Sequence, residues 1–211
     1  RHAVEEHKEA FPHPHLHYID KVGTNMQLIS PRPFQLMHSE PQANLVQWFH
    51  EEVNNIIYRE TQLYPDRFIV IAGIPTVAGH PLDIAINELE RCVNELGFKG
   101  TLLNPDPYEN SGTHPPALGD KYWYPLYEKM VELDVPAMIH VSGACHHSLD
   151  TTTSYYLGGD TTAFTHLLFS DVFTDFPELK LIIPHGGGAV PYHWGRFRGI
   201  AQDRGLGDLD A

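Results

Sequence analysis

Residues 179–188 read LKLIIPHGGG, a short apolar run that ends in a proline, a histidine and three glycines. The apolar part predicts a buried β-strand, because it is short, rich in isoleucine and bounded by a proline. Glycines carry no side chain and tolerate positive φ, so a substrate and backbone N–H groups could approach there. A flexible loop without a role is the alternative. A phosphate loop is excluded, because the Lys-Ser/Thr ending is missing. The stretch therefore predicts a functional loop after a strand, with His185 at its start.

The same pairing of an apolar run with an amphipathic segment repeats along the chain. Apolar runs begin near residues 25, 68, 98, 136 and 179. Helical periodicity occupies the segments between and after them, around residues 44–64, 82–96, 120–133 and 160–176. This alternation predicts a parallel α/β fold, either a doubly wound sheet or a (β/α)₈ barrel.

Polar side chains fall just beyond the predicted strands, where barrel enzymes carry their chemistry. They are Ser30 and Arg32, Asn104 and Asp106, His140 and Ser142, and His185. This placement favours the (β/α)₈ TIM barrel. We expect about strands 2 to 6 of such a barrel in this sequence, with residues 1–211 as a single barrel domain that is incomplete at both ends.

The composition narrows the possible partners. Lysine and arginine number 14 against 27 aspartate and glutamate, a net charge of −13 that opposes binding to nucleic acid. No apolar run reaches the roughly 18 residues of a membrane span. Cys92 and Cys145 are too few for a disulfide framework, so a reducing cytoplasm is expected. Because basic residues are scarce, Arg32, Arg196 and Arg198 are the candidates for binding an anionic substrate.

Two histidines stand at matching positions beyond adjacent predicted strands. His140 follows the strand in PAMIHVSG, and His185 follows the strand in LKLIIPHGGG. Neutral imidazole binds zinc, and a pKa of about 6.5 lets histidine exchange protons near neutral pH. Loop histidines satisfied by backbone groups are the alternative. The pairing favours two functional side chains in one barrel mouth.

Several segments together resemble the amidohydrolase superfamily, in the branch with aminocarboxymuconate semialdehyde decarboxylase and 4-oxalomesaconate hydratase. The similarity covers residues from about 25 to 203, and HGGGAVPYHWGR resembles the hydratase most. The segments are 29-ISPRP-33, PAMIHVSG, 156-YLGGDTTAF-164 and FPELKLIIPHGGGAVPYHWGRFRG. The resemblance implies a (β/α)₈ barrel with a single catalytic zinc ion per subunit.

The resemblance also implies a role for each candidate site residue. His140 would be a metal ligand and His185 a proton-transfer residue. Arg32 would hold a substrate carboxylate, and Tyr156 would lie near the substrate. Arg196 would reach a carboxylate in the neighbouring subunit, which implies a homodimer with shared sites and an interface at 192-YHW-194 and Phe197. From the sequence alone, a surface arginine paired with an acid is the simpler interpretation of Arg196.

The chain departs from the family pattern at two sets of metal ligands. The family has a His-x-His pair on the first strand and an acidic ligand on a late strand, and neither is present at its place. The segment 13-HPHLH-17 contains His-x-His, but it precedes the amphipathic segment LHYIDKVG, so we interpret it as a polar loop and helix start. Tetrahedral zinc takes three protein ligands in catalytic sites. We therefore expect the remaining ligands outside this sequence, and weak zinc binding by these 211 residues alone.

Other conspicuous residues have structural interpretations. Trp123, Tyr124, Tyr127 and Met130 recur at helical spacing and are expected in the core. His146 and His147 are expected at the surface, and a contact with the substrate is the alternative.

These observations lead to a functional hypothesis with two alternatives. The hypothesis is a zinc-dependent lyase of aromatic ring-cleavage catabolism, acting on a small di- or tricarboxylate and hydrating a conjugated keto-acid such as 4-oxalomesaconate. Zinc would activate water, a carboxylate outside this sequence would accept the water proton, and His185 would protonate the enolate. Non-oxidative decarboxylation of an aromatic or muconate-type carboxylate on the same scaffold is the first alternative. A non-catalytic barrel homologue or inactive fragment is the second.

Overall fold

The computed structural model describes residues 14–32, 36, 40–106, 114–142 and 150–209. These residues contain five strands that all run parallel to their neighbours. Each strand lies inside one of the predicted apolar runs. The strands are β1 (Gln27–Ile29), β2 (Phe68–Val70), β3 (Thr101–Leu103), β4 (Ala137–Ile139) and β5 (Leu181–Ile182).

The strands pair in the order in which they occur along the chain. β1 pairs with β2, and β3 pairs with β4, which pairs with β5. A parallel bridge between Ala72 and Thr101 joins the two groups, supported by a hydrogen bond from the Leu102 N–H to the Ala72 carbonyl at 2.8 Å. A doubly wound sheet reverses its strand order at a switch point, whereas a barrel does not. The consecutive order therefore agrees with the predicted barrel.

Seven α-helices connect and flank the strands in the described part of the chain. They are α1 (Pro14–Lys21), α2 (Ala43–Thr61), α3 (Asp83–Asn94), α4 (Tyr124–Glu132), α5 (Tyr156–Leu168), α6 (Val172–Asp175) and α7 (Trp194–Asp203). A 3₁₀ turn at Lys121–Trp123 precedes α4, and a π-helical turn at Thr151–Tyr155 precedes α5. The prediction of one helix over 160–176 was wrong in its bounds. Helix α5 begins four residues earlier, and residues 169–171 separate it from α6.

The main core lies between β3, β4 and helices α3 to α5. Trp123, Tyr127 and Met130 are almost fully buried, which confirms their predicted place in the core. Their polar atoms are satisfied, since Trp123 Nε1–H donates to the Pro116 carbonyl at 3.0 Å and the Tyr127 hydroxyl to the Leu118 carbonyl at 2.7 Å. Burial of each such side chain contributes about 1.5–3 kcal/mol. Tyr124 is only partly buried and packs against the core from its edge, where its hydroxyl donates to Asp175.

The buried face of α2 differs from the apolar stripe that the sequence suggests, at Leu45, Phe49, Val53, Ile56 and Leu63. Val46, His50, Asn54 and Ile57 are buried, whereas Ile56 is 49% exposed. Asn54 is buried because its amide replaces strand hydrogen bonds. Its Nδ2 donates to the Gly73 carbonyl at 2.8 Å, and its Oδ1 accepts from the Gly73 N–H at 3.0 Å. The helix thereby fixes the backbone that follows β2.

Burial also distinguishes the central strand from the two outer ones. All three residues of β3 are buried, whereas Leu28 in β1 is 59% exposed and Ile182 in β5 is 48% exposed. Within the described residues, β1 and β5 each have one strand neighbour. The carboxyl ends of all five strands meet at one edge, and this edge carries the candidate site.

Candidate active site

His140 lies directly after β4, in a setting that favours the neutral imidazole. Its backbone N–H donates to the Leu103 carbonyl at 2.9 Å. The ring Nδ1 is 3.0 Å from the Val141 carbonyl, which can only accept, so Nδ1 carries the hydrogen and Nε2 carries a lone pair. Desolvation lowers the pKa of this half-buried imidazole, the Val141 hydrogen bond opposes the shift, and the nearby His185 lowers the pKa further. The ring is therefore held as a neutral donor of an Nε2 lone pair.

This setting fits one ligand of a metal ion. Metal-bound histidine characteristically donates its other ring N–H to a carbonyl or carboxylate, as His140 does to Val141. Catalytic zinc takes three protein ligands. Within the described residues no group of three or more His, Cys, Asp or Glu side chains could hold a metal ion. His140 thus fits one ligand of a metal site, and the described residues contain no complete set of ligands for it.

His185 follows β5 in a different setting. Its Nδ1 lies 2.7 Å from Oδ2 of Asp160, and its side chain is 43% exposed. The ring of Tyr156 stacks on it with centroids 5.5 Å apart and an interplanar angle of 19°. The backbone at His185 has φ of +49°, a left-handed conformation that is uncommon outside glycine. The Asp160 carboxyl, the Tyr156 ring and the backbone conformation therefore restrain the imidazole, while part of the side chain stays exposed to solvent.

Helix α5 supplies both side chains that hold His185. Tyr156 and Asp160 are four residues apart, so they lie on one face of the helix. Asp160 is fully buried. Burial raises the pKa of the Asp160 carboxyl, and the hydrogen bond from His185 acts in the opposite direction. Asp160 was missed from the sequence, although its spacing from Tyr156 would have indicated it once α5 was extended to residue 156.

The last of the three glycines after His185, Gly188, allows the loop to pack against α5. Gly186, Gly187 and Gly188 all have positive φ, as the sequence suggested. A Cβ at Gly188 would lie 2.7 Å from Thr161 Oγ1 and 2.8 Å from the Leu157 carbonyl oxygen. The Ala189 N–H donates to Thr161 Oγ1 at 3.0 Å. In this structure the missing side chain at Gly188 therefore permits a close approach between the loop and α5.

A narrow cleft opens beside His140 at the carboxyl ends of the strands. Asn104 follows β3 and is 6% exposed, and its Nδ2 donates to Ser142 Oγ at 3.2 Å. Asn104 Oδ1 accepts from the Asp106 N–H at 3.0 Å. The lining residues are Leu36, Gly73, Ile74, Thr76, Leu102, Asn104 and His140. The cleft combines apolar walls with an amide and an imidazole, and its volume of about 10 Å³ is that of a single water molecule.

The three candidate arginines, Arg32, Arg196 and Arg198, are all exposed in the structure. Arg32 follows β1 at the same edge of the strands and is exposed. Arg196 is exposed in the first turn of α7. The sequence suggests a helix start at Pro191, because proline is common in the first turn of a helix, but α7 begins at Trp194. The helix begins late because the chain turns after the glycines, with the His193 N–H donating to the Ala189 carbonyl.

The aromatic residues beside Arg196 have mixed surroundings. Phe197 packs against Phe164 of α5 with centroids 5.4 Å apart, so it contacts its own chain. Tyr192 is 89% exposed, and His193 is also exposed. The predicted interface at these residues stays a prediction.

His15, in the His-x-His segment at residues 13–17, lies at the amino ends of the strands, opposite the edge that carries the candidate site. His15 Nε2 is 2.7 Å from Gln27 Oε1, and the His15 ring stacks on Phe68 at 6.3 Å. Gln27 and Phe68 are the first residues of β1 and β2. His15 is therefore remote from the edge that carries His140 and His185. Cys145 and the histidines at 146–147 fall outside the described residues.

None of the described helices combines the length and the apolar character that crossing a membrane requires.

The sequence is 50% identical over 199 residues to 2-keto-4-carboxy-3-hexenedioate hydratase of Sphingobium sp., covering 94% of this chain and 58% of that protein. The fold matches the crystal structure of 4-oxalomesaconate hydratase from Rhodopseudomonas palustris with a TM-score of 0.83 and 44% identity, covering 98% of this chain and 57% of that one.

A third similarity is to the structure of a dihydroxybenzoic acid decarboxylase from Polaromonas sp. JS666, which contains manganese and the inhibitor 2-nitroresorcinol. The TM-score is 0.78 at 25% identity, over 87% of this chain and 57% of that one. The chain therefore spans under two thirds of the length of these relatives. The sequence profile of the family described as Amidohydrolase matches residues 2–208. With the consecutive parallel strands described above, this match shows that the chain belongs to the amidohydrolase family and has its (β/α)₈ barrel fold.

Proposed function

We propose that this chain belongs to a metal-dependent lyase that adds water to a conjugated keto-acid such as 4-oxalomesaconate. The observation that carries the proposal is the contrast between two neighbouring histidines. His140 donates to a backbone carbonyl and keeps a lone pair for a metal ion, whereas His185 donates to a buried carboxylate and keeps Nε2 for a proton. The identity of 50% to a hydratase supports water addition as the reaction.

His185 would deliver the proton that completes the addition. One proton of the water would pass to a carboxylate outside this sequence, the water oxygen would bond to one carbon of the conjugated C=C bond, and the displaced electron pair would form an enolate. The enolate carbon then takes a proton from His185 Nε2, which forms the C–H bond and leaves the imidazole neutral. Tyr156 keeps the imidazole plane fixed by stacking. Arg32 would bind a substrate carboxylate through two parallel hydrogen bonds, which lysine could not reproduce.

The metal ion that we propose for His140 is zinc. Bound zinc would act as a Lewis acid and activate water near neutral pH. The manganese in the decarboxylase structure supports a divalent metal in this family without fixing its identity here. Asn104 lines the cleft beside His140, is held by its hydrogen bond to Ser142, and would orient a polar group of the substrate.

Decarboxylation is the second candidate, and the similarity to dihydroxybenzoic acid decarboxylase favours it. The same His185 would then protonate the carbon that loses CO₂. The test is to incubate the full-length, metal-loaded protein with 4-oxalomesaconate and with 2,6-dihydroxybenzoate, and to analyse the products by mass spectrometry. A product heavier by one water molecule supports the hydratase. Release of CO₂ supports the decarboxylase, and no turnover of either class supports a non-catalytic barrel.

The proposed assembly is a homodimer in which Arg196 completes the partner's site. Arg196 and Tyr192 are exposed near the start of α7, where aromatic residues and arginine are typical of interfaces. Mixing inactive Arg196→Ala and Arg32→Ala proteins should restore part of the activity, because each mixed dimer retains one intact site. No recovery after confirmed subunit exchange, or a fully active monomer, would contradict the shared site.

We also propose a single domain in a reducing compartment, the cytoplasm. Cys92 is a buried free thiol, and its Sγ–H donates to Glu88 Oε1 at 3.3 Å. Burial raises the pKa of this thiol well above its ordinary value, which keeps it protonated and unreactive. Residues 1–211 are assigned to the one barrel domain. Fractionation of the producing cells tests the compartment.

A further inference from the structure

The face of α5 that contacts His185 contains a buried carboxylate with no role in the mechanism above. Asp160 has 0% exposure, and its Oδ2 lies 2.7 Å from His185 Nδ1. Its Oδ1 is also buried and has no hydrogen-bond partner in the described part of the chain. A buried carboxylate is costly unless it is paired, and His185 is its partner here. The charge of Asp160 is therefore directed at one ring nitrogen.

We propose that Asp160 is a positioning residue for proton transfer by His185, acting through the tautomer and the charge of the imidazole. This inference rests on the proposed function, in which His185 protonates the substrate carbon. Because Asp160 accepts from Nδ1–H, Nε2 is the nitrogen that exchanges a proton with the substrate. When Nε2 is protonated, the imidazolium is paired with the carboxylate. When the Nε2–H bond breaks and the new C–H bond forms, the ring returns to the neutral Nδ1–H tautomer.

Two further restraints make the position of the ring well defined. The left-handed backbone at His185 fixes where the side chain leaves the loop, with φ of +49°. Tyr156 limits rotation of the ring plane by stacking at an interplanar angle of 19°. Neither restraint chooses between the two tautomers, since both act equally on either one. Only the Asp160 hydrogen bond determines which nitrogen holds the hydrogen.

A purely structural role for Asp160, docking the glycine loop on α5, is the competing explanation. The neighbouring Thr161 performs that docking separately, because its Oγ1 accepts from the Ala189 N–H at 3.0 Å. Thr161 is next to Asp160 in the same helix and acts on the same loop. The two adjacent side chains therefore provide a matched pair, in which one contacts the imidazole and the other contacts the loop backbone.

The kinetic test compares Asp160→Asn with Thr161→Val in the full-length, metal-loaded enzyme. Asparagine has nearly the same volume as aspartate but no charge. We expect Asp160→Asn to lower kcat about 100-fold, with KM within about threefold and unchanged metal content. Thr161→Val should change kcat by less than about threefold. A kcat of Asp160→Asn close to the parent value, or an equal loss in Thr161→Val, would overturn the positioning role. Loss of metal in Asp160→Asn would also overturn it.

A double substitution protects this test against a general loss of stability. In a His185→Asn background, Asp160→Asn should cause no further loss of kcat, because residues that act as a unit are not additive. A structural role predicts an additional loss in that background. Thermal melting of each variant establishes that the comparison is between folded proteins.

The tautomer can be measured without turnover. In protein labelled with ¹⁵N-histidine, the His185 signals are assigned by their absence in His185→Asn. At a pH at which the ring is neutral, we expect the parent to show a protonated Nδ1 and an unprotonated Nε2, and Asp160→Asn to shift the ring toward the Nε2–H tautomer. An unchanged tautomer in Asp160→Asn contradicts the inference. If the parent lacks hydratase activity, the proposed function fails, and this measurement still decides whether Asp160 controls His185.

Discussion

The histidines after β4 and β5 have the same side chain at corresponding strand ends, yet their surroundings differ in every respect that matters for chemistry. His140 is half-buried, bonds to a carbonyl, and has its pKa lowered by desolvation. His185 is more exposed and bonds to a carboxylate. A carbonyl stabilises the neutral ring as a donor, whereas a carboxylate also stabilises the cation. The difference supports the proposal that His140 binds the metal ion and His185 transfers the proton.

The largest effect should come from removing His140. We expect His140→Ala in the full-length protein to lose stoichiometric zinc and, with it, detectable turnover, because one of the few protein ligands is gone. Elemental analysis of purified protein measures the metal. His15→Ala is the matched control, since His15 lies at the opposite end of the strands beside Gln27. Full zinc content in His140→Ala would show that His140 is not a metal ligand, and the proposed difference in function between the two histidines would be wrong.

Removing His185 should separate turnover from metal content. We expect His185→Asn to keep its zinc and to lose about 10²- to 10⁴-fold in kcat, the usual contribution of a general acid or base. Elemental analysis and steady-state kinetics on one preparation test both parts. Normal kcat would eliminate the proton-transfer role. Loss of zinc would make His185 a second ligand, and the two histidines would then have the same function.

The sequence predicted the strands well, because each is a short apolar run buried between other elements. The consecutive parallel order could be inferred from the alternation with helices, and polar residues after the strands indicated the edge that carries the site. The buried face of α2 could not be inferred. Asn54 is buried through hydrogen bonds to Gly73, a tertiary contact 19 residues away in sequence that no helical periodicity reveals.

The candidate site was only partly predictable for a related reason. His140, His185 and Tyr156 were identified, but Asp160 was treated as the start of a helix. The glycines at 158 and 159 argue against a helix beginning at Tyr156. Gly159 is required there because a Cβ would lie 2.6 Å from Val141 Cγ2. A packing requirement thus placed glycine inside a helix and concealed the spacing between Tyr156 and Asp160.

A substitution in the glycine loop tests how far the setting of His185 depends on α5. Gly188→Ala should destabilise the fold by about 1–3 kcal/mol, because φ is +63° and the Cβ would lie 2.8 Å from the Leu157 carbonyl oxygen. Gly186→Ala is the matched control, since φ is +69° but no atom lies within 4 Å. It should lose only about 1 kcal/mol from backbone strain. Equal losses in denaturant unfolding would show that contact with α5 contributes nothing.

The smallest expected effect concerns a third histidine, His166, which has no proposed role in the reaction and therefore serves as a reference for His140 and His185. His166 in α5 is half-buried, and its Nδ1 accepts from the Leu118 N–H at 3.4 Å. Desolvation lowers its pKa in the folded protein. Between the folded pKa and the ordinary value near 6.5, the unfolded chain binds a proton that the folded chain does not. The contribution of His166 to stability is therefore complete above about pH 6.5 and is lost as pH falls toward the folded pKa.

The pH dependence of unfolding tests this sign in metal-free protein, where zinc cannot interfere. The free energy of unfolding of the parent should decrease as pH falls below about 6.5, and His166→Gln should flatten part of that decrease. His166 contacts neither His140 nor His185 in the described structure, so the change should leave the tautomer of His185 unaltered. An unchanged pH slope in His166→Gln would mean that the neutral form of His166 is not selected by folding. A change in the His185 tautomer would show that the histidines are coupled through α5, and the roles assigned to them could no longer be treated as independent.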